Sequence, residues 1–178
     1  NFPFINSNIE LSGTPLSEST LKNKVFEFEG MKIGVFGLGI ELQGLVNPKL
    51  YGDVRYNDPI TEANNQGNYL KNEMGCDLVI CLSHLGYDYN SEKYNFDTYR
   101  VCDKHIAENS QNVDVILGGH THTFLDEPTY FSNSEEKSVM VCQVGWAGIK
   151  LGRIELYMDV VTRIINGSYS APKISQSQ

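Results

Sequence analysis

Three of the four histidines stand where a metal ion could be held. His84 follows the apolar run Asp77-Leu-Val-Ile-Cys-Leu-Ser83. His120 and His122 follow a second apolar run, Val113-Asp-Val-Ile-Leu117, through Gly118-Gly119. Neutral imidazole is the commonest protein ligand for zinc-like ions. In open α/β sheets, ligands gather beyond the carboxyl ends of strands, and these three side chains occupy such positions on two different strands. His120 and His122 are two residues apart, so an extended backbone projects both to one side. The paired glycines remove side-chain bulk and let the chain turn sharply beside an ion. His105 differs: it lies in a helical stretch beside Lys104 and is expected to be structural.

Other residues carry weaker chemical signals. Asp88 is close enough to His84 in sequence to orient its imidazole as an outer carboxylate. Asp126, beyond the histidine loop, is expected to be solvated, and Asp114, within a strand, receives no role. Trp146, the single tryptophan, reads as a core or loop anchor rather than a base-stacking platform. The four cysteines, Cys76, Cys81, Cys102 and Cys142, form no CxxC pair, so a thiolate zinc knuckle is not indicated. They read as small buried apolar side chains. Gly37-Leu-Gly39 follows a strand, but the third glycine of a dinucleotide fingerprint would fall at Leu42, so that pattern fails. Asn166-Gly-Ser168 matches a glycosylation sequon and fits a turn equally well.

Composition narrows the class. With 14 Lys+Arg against 22 Asp+Glu, the formal net charge is −8. Such a balance argues against a nucleic-acid polymer or an anionic membrane as partner, because no basic stripe would neutralise phosphates. A small anionic substrate stays compatible if metal ions supply positive charge locally. At 40% hydrophobic and 11% aromatic the chain can build a core. No apolar stretch is long enough for a membrane span.

The elements that must position the histidines can be read from periodicity. Met31 to Leu38 is expected as a buried strand, preceded by an antiparallel partner over Lys24 to Gly30. Asp58-Pro59 opens a helix running to Met74 and stopping at Gly75. Asp77 to Ser83 is the next strand, Asp97 to Asn109 the next helix, and Val113 to Leu117 a third strand. This alternation predicts parallel βαβ units. Val139 to Val144, Lys150 to Met158 and Thr162 to Ser168 have no helix between them and predict an antiparallel meander. Gly39 to Asn57, His84 to Asn95 and Thr121 to Lys137 are expected as long, functional loops. Residues 1–168 are taken as one unit and 169–178 as a polar tail. The chain opens at Asn1 directly on Phe2-Pro-Phe-Ile5, without an initiator Met, and an N-terminal segment is expected before it.

Ser83-His84-Leu85-Gly86 followed by Gly118-Gly119-His120-Thr121-His122 resembles the last two metal-binding blocks of the calcineurin-like metallophosphoesterases. Residues 2–8, Met31 to Gly37, the Asp97 to Asn109 helix and Val144-Gly-Trp-Ala-Gly-Ile-Lys-Leu-Gly-Arg-Ile-Glu-Leu156 are similar to the 5′-nucleotidase branch. The resemblance implies an α/β fold, half of a four-layer α/β/β/α sandwich. It also implies hydrolysis of phosphate esters with two divalent metal ions. Carried over, His84 and His120 bind one ion and His122 the other. The family's Asp-x-His, Gly-Asp and Gly-Asn-His blocks do not occur in this sequence. They are expected upstream, with the catalytic histidine among them, so the chain is expected to be the C-terminal half of the domain and its partner the missing N-terminal half. The family's separate nucleoside-gripping domain is not expected within these residues. The resemblance further implies a nucleotide-like small substrate and a periplasmic or extracellular setting.

Two other readings remain open on the residues alone. One is a mononuclear zinc hydrolase held by His84, His120 and His122. The other is a metal-binding or interaction module without catalysis. The ester and the metal (zinc, manganese, iron or cobalt) also stay open.

Overall fold

Short β-branched runs alternating with polar helices build the frame. The computed structural model describes residues 2–89, 100–159 and 165–172. In chain order the strands are β1 Phe4–Ile5, β2 Ile9–Glu10, β3 Thr20–Leu21, β4 Asn23–Phe28, β5 Met31–Leu38, β6 Arg55–Tyr56, β7 Leu78–Ser83, β8 Val115–Leu117, β9 Thr129–Ser132, β10 Ser138–Cys142, β11 Arg153–Met158 and β12 Ile165–Ser170. The helices are α1 Pro48–Tyr51, α2 Pro59–Asn68 and α3 Asp103–Asn109, and a π-helical turn, Tyr69–Glu73, continues α2.

A six-stranded sheet in the order β4-β5-β7-β8-β10-β9 organises these elements. Pairs β5–β7, β7–β8 and β8–β10 are parallel, whereas β4–β5 and β10–β9 are antiparallel. Alternate residues face opposite sides. Phe36, Val79, Cys81, Ile116, Val139 and Val141 pack under α2 and α3 with Ala63, Leu70, Ile106 and Ala107. On the other side Leu78, Val115, Met140 and Cys142 meet Ile154, Leu156 and Tyr169 of the antiparallel β11–β12 pair. That second face is open at its β4 side and beyond Ile80, where Phe26, Phe28 and Leu82 are exposed.

Local chemistry explains the boundaries. Asp58 caps α2, its Oδ1 accepting from the Thr61 amide at 2.8 Å, and Pro59 occupies the first turn. The expected stop at Gly75 is where the chain turns, at φ 66. Gly37-Leu-Gly39 serves packing rather than phosphate: a Cβ at Gly37 would overlap the Ile5 carbonyl. The buried Asn8 amide group brackets Gly39, donating to its carbonyl at 2.9 Å and accepting from its amide at 2.8 Å. The N-terminal run is thereby clamped over the end of β5.

Several sequence expectations need correction. The helix expected over Asp97 to Asn109 begins at Asp103, capped by Cys102, with Arg100 and Val101 outside it; residues 97–99 lie outside the described residues. The expected loop over Thr121 to Lys137 contains β9, which turns into β10 around Asn133, whose Oδ1 accepts from the amides of Glu135 and Lys137. This insertion lets β10 lie parallel to β8 rather than open a meander. The antiparallel pairing expected after residue 138 holds for β11 and β12. Strand β12 runs to Ser170, beyond 168, because Tyr169 packs against the second core. The loop expected over Gly39 to Asn57 holds α1 and β6, which pairs with β2. Among the described residues no helix is long and apolar enough to cross a membrane.

Candidate metal centre

Parallel pairing brings the ends of three strands to one edge. Leu82 is in register with Leu117 and Leu117 with Cys142, so the chain leaves β7 at His84, β8 at Gly118 and β10 at Gln143 side by side. The His84 amide still donates to the Leu38 carbonyl at 2.8 Å, and that of Gly118 to Cys142 at 2.8 Å. The sheet ladder thus extends to the base of both histidine loops.

The imidazoles of His84 and His120 meet edge to face, with ring centroids 5.2 Å apart and planes at 71°. Gly119 makes this approach possible, since a Cβ there would stand 3.0 Å from His84 Nδ1. Burial, the neighbouring His84, then Arg100 and His122 hold His120 below the ordinary imidazole range. It is therefore kept neutral, the form that can ligate a metal. Tyr89 also meets His120 edge to face, ring centroids 6.4 Å apart. Its phenol, pushed up to about 12 chiefly by burial, donates to the Leu85 carbonyl.

His120 and His122 do not sit in extended backbone as expected. Both have left-handed conformations, φ 77 and 56, which cost a non-glycine residue roughly 1–2 kcal/mol each. Thr121 between them is buried. Its Oγ1 accepts from the Tyr87 amide at 2.9 Å and bonds to Gln143 Oε1 at 3.1 Å. The alternation survives through this inward anchor, with His122 exposed and stacked on Trp146.

Gln143 is the support that sequence reasoning missed. Almost fully buried, it accepts on Oε1 from the Thr123 amide at 2.5 Å and donates from Nε2 to the Gly119 carbonyl at 2.9 Å. Both sides of the His120–His122 turn are thus held by one amide. Gly86 completes the motif: at φ 98 it favours glycine, and a Cβ would collide with Thr121 Cγ2.

Asp103 was missed as well. It is fully buried in the first turn of α3, with Ile106, Ala107 and Ser110 also buried; as a polar residue on that face it left no apolar signal in the sequence. Burial pushes its carboxyl up to about 7, against the lowering effect of the Ser83 hydroxyl.

The other candidates take several places. Asp88 is half-buried, and its charge raises the Cys102 thiol after burial has done so. His105 is structural, as expected: its Nδ1 accepts from the Cys102 amide at 3.2 Å and closes the start of α3. Asp126 pairs with Lys150, and Asp114 with Lys71 at 2.8 Å. All four cysteines are buried and free. Among the described residues no group of three or more His, Cys, Asp or Glu side chains is gathered as a metal cage. The donor set fits a metal in part: two close imidazoles, one held neutral, over a glycine cradle.

No protein-family model matches the chain. It is 25% identical over 175 residues to the trifunctional nucleotide phosphoesterase protein YfkN of Bacillus subtilis, covering 89% of this chain and 11% of that protein. It is 28% identical to the snake venom 5′-nucleotidase of Crotalus adamanteus, covering 94% of this chain and 29% of the relative. Among solved structures, the 5′-nucleotidase precursor of Thermus thermophilus superposes with a TM-score of 0.78 at 25% identity, over 97% of this chain and 34% of that one. The chain spans less than a third of the length of these two curated relatives.

Proposed function

We propose that this chain, which belongs to the 5′-nucleotidase branch of the calcineurin-like phosphoesterases, is the C-terminal half of a domain that hydrolyses phosphate esters of nucleotides. The observation that carries the reading is the His84–His120 contact at the carboxyl ends of adjacent parallel strands. In this reading His84 and His120 serve one divalent ion and His122 a second. Asp88 is the carboxylate proposed to orient His84. Held there, divalent ions would supply positive charge for phosphate oxygens and would acidify a bound water. The chain's own part is to present imidazoles in fixed geometry, that of His120 held neutral, which Gln143, Thr121 and the glycines Gly86 and Gly119 enforce.

The remaining ligands and the catalytic histidine would come from an upstream segment, which would also cover Phe26, Phe28 and Leu82. Imidazole together with carboxylate donors suits zinc, manganese, iron or cobalt. A periplasmic or extracellular setting follows from the same membership as a proposal. The mononuclear three-histidine reading is disfavoured because His122 stacks on Trp146 and no three-ligand cage forms among the described residues.

The test is metal-dependent hydrolysis of AMP and p-nitrophenyl phosphate by the full-length protein that carries this segment. His84→Ala and His120→Ala are expected to lower kcat/KM by more than the roughly 10–100-fold lost with an outer hydrogen-bond partner. Unchanged rates in both variants would overturn the assignment and favour a module without catalysis.

A further inference from the structure

Asp103 is a fully buried carboxyl, and burying one is costly unless its oxygens are satisfied. Its Oδ1 accepts from the Ser83 hydroxyl, while its Oδ2 has no hydrogen-bond partner among the described residues. A hydrophobic residue could fill this place in the core of α3 without that cost. What the carboxyl touches gives it a different use.

On one side it grips the His84 loop. Ser83, directly before His84, donates to Asp103, and the same hydroxyl accepts from the Leu85 amide at 3.2 Å. The Asp103 amide donates to the Gly86 carbonyl at 2.7 Å. Residues 83, 85 and 86 are therefore all fastened, directly or through one hydroxyl, to Asp103, and His84 lies between them. On the other side the carboxyl abuts the His120 loop. A Cβ at Gly118 would overlap Asp103 Oδ2 and stand 3.1 Å from Gln143 Nε2, the group that holds the Gly119 carbonyl. Gly118 is thus pressed on the carboxyl, and the next residue, Gly119, on His84.

We propose that Asp103 is a positioning residue that sets the spacing of the His84 and His120 imidazoles, by hydrogen-bonding the Ser83 end of one loop and abutting Gly118 at the base of the other. The consequence for metal affinity rests on the ligand reading above; the ring geometry does not.

Nuclear magnetic resonance of the metal-free full-length protein that carries this segment reads the geometry, through the nuclear Overhauser contact between the two imidazoles and their tautomers in long-range ¹H–¹⁵N spectra. Calorimetric titration with zinc reads the consequence. Asp103→Ala and Ser83→Ala are each expected to abolish the ring-to-ring contact and weaken zinc binding by about 10-fold or more. Asp103→Asn, whose amide oxygen still accepts from Ser83, is expected to retain both, which a loss of packing alone would not separate. If Asp103→Ala does not fold, Ser83→Ala decides, since it leaves the buried side chain in place. Unaltered ring contact and tautomers in a folded Ser83→Ala chain would overturn the proposal. Loss of the ring contact in Ser83→Ala, with no zinc bound even by the parent chain, would uphold positioning while sinking the metal reading.

Discussion

The imidazole of His122 lies flat on the indole of Trp146, with ring centroids 5.5 Å apart and planes 12° from parallel. Both rings are exposed, so the stack is an arrangement of the loop rim and not a by-product of core packing. It comes from two turns in unusual backbone: His122 at φ 56, and the stretch Gly145, Ala147, Gly148 with φ 78, 57 and 68.

Because Trp146 is the only tryptophan, its fluorescence reports on His122 directly. His122→Ala bares the indole face to water and is expected to change the intensity and wavelength of Trp146 emission, while His105→Ala, at the start of α3, should leave the spectrum as it is. Emission unaltered in His122→Ala would mean that the stack does not exist in solution.

Gly118→Ala is expected to destabilise the chain by about 1–3 kcal/mol, the usual cost of overpacking, because its Cβ would overlap the buried Asp103 carboxyl. The comparison is Gly148→Ala, whose Cβ meets nothing within 4 Å and which pays only for its φ of 68. Chemical denaturation of both variants checks this. Truncation of the clashing partner, in Asp103→Ala with Gly118→Ala, should give less than additive loss.

Gln143→Leu keeps roughly the volume but removes the bonds to Thr121, Thr123 and Gly119. Leaving such groups unpaired costs about 1–3 kcal/mol. The melting temperature should fall, and the Thr123 amide should exchange with deuterium faster than in the parent chain. Gln143→Glu should also lose stability at neutral pH, since a carboxylate cannot donate to the Gly119 carbonyl.

Asp103 also predicts how stability changes with pH. Its folded-state pKa is raised to about 7 by burial, above that of the unfolded chain. Below the ordinary carboxylate range both states hold the proton, and the group contributes nothing. As pH rises toward 7 the unfolded chain gives up its proton first, so stability declines; above 7 the penalty is complete, up to about 4 kcal/mol at roughly 1.4 kcal/mol per unit. Asp103→Asn should flatten this decline between about pH 4 and 7 in urea titrations. An equal slope in parent and variant would show that the carboxyl is not buried in solution.

Much of the frame was legible because hydrophobic period and turn chemistry are local. Met31 to Leu38 was an apolar strand, Asp58-Pro59 a helix start and Gly75 a stop, each from a few adjacent residues. The histidine motif was equally legible, since His84 and the His120–His122 pair follow apolar strands, the pair through two glycines. What the sequence could not decide depends on contacts between distant segments. The register of β8 against β10 places Gln143 beneath Gly119, and no periodicity announces that two residues 24 positions apart will meet because the chain folds back through β9. The sequence pattern starts α3 before Asp103 because the apolar side chains of Val101 and Cys102 continue it. In the fold Cys102 is the cap, and Asp103, an acid in the core, is kept there by Ser83 from 20 residues away. The two histidines two apart flank a buried threonine in left-handed turns, not in an extended strand, His120 meeting His84 and His122 stacking on Trp146. Imidazole chemistry was thus written locally, while the spacing of the rings was decided by buried polar groups that only tertiary pairing brings together.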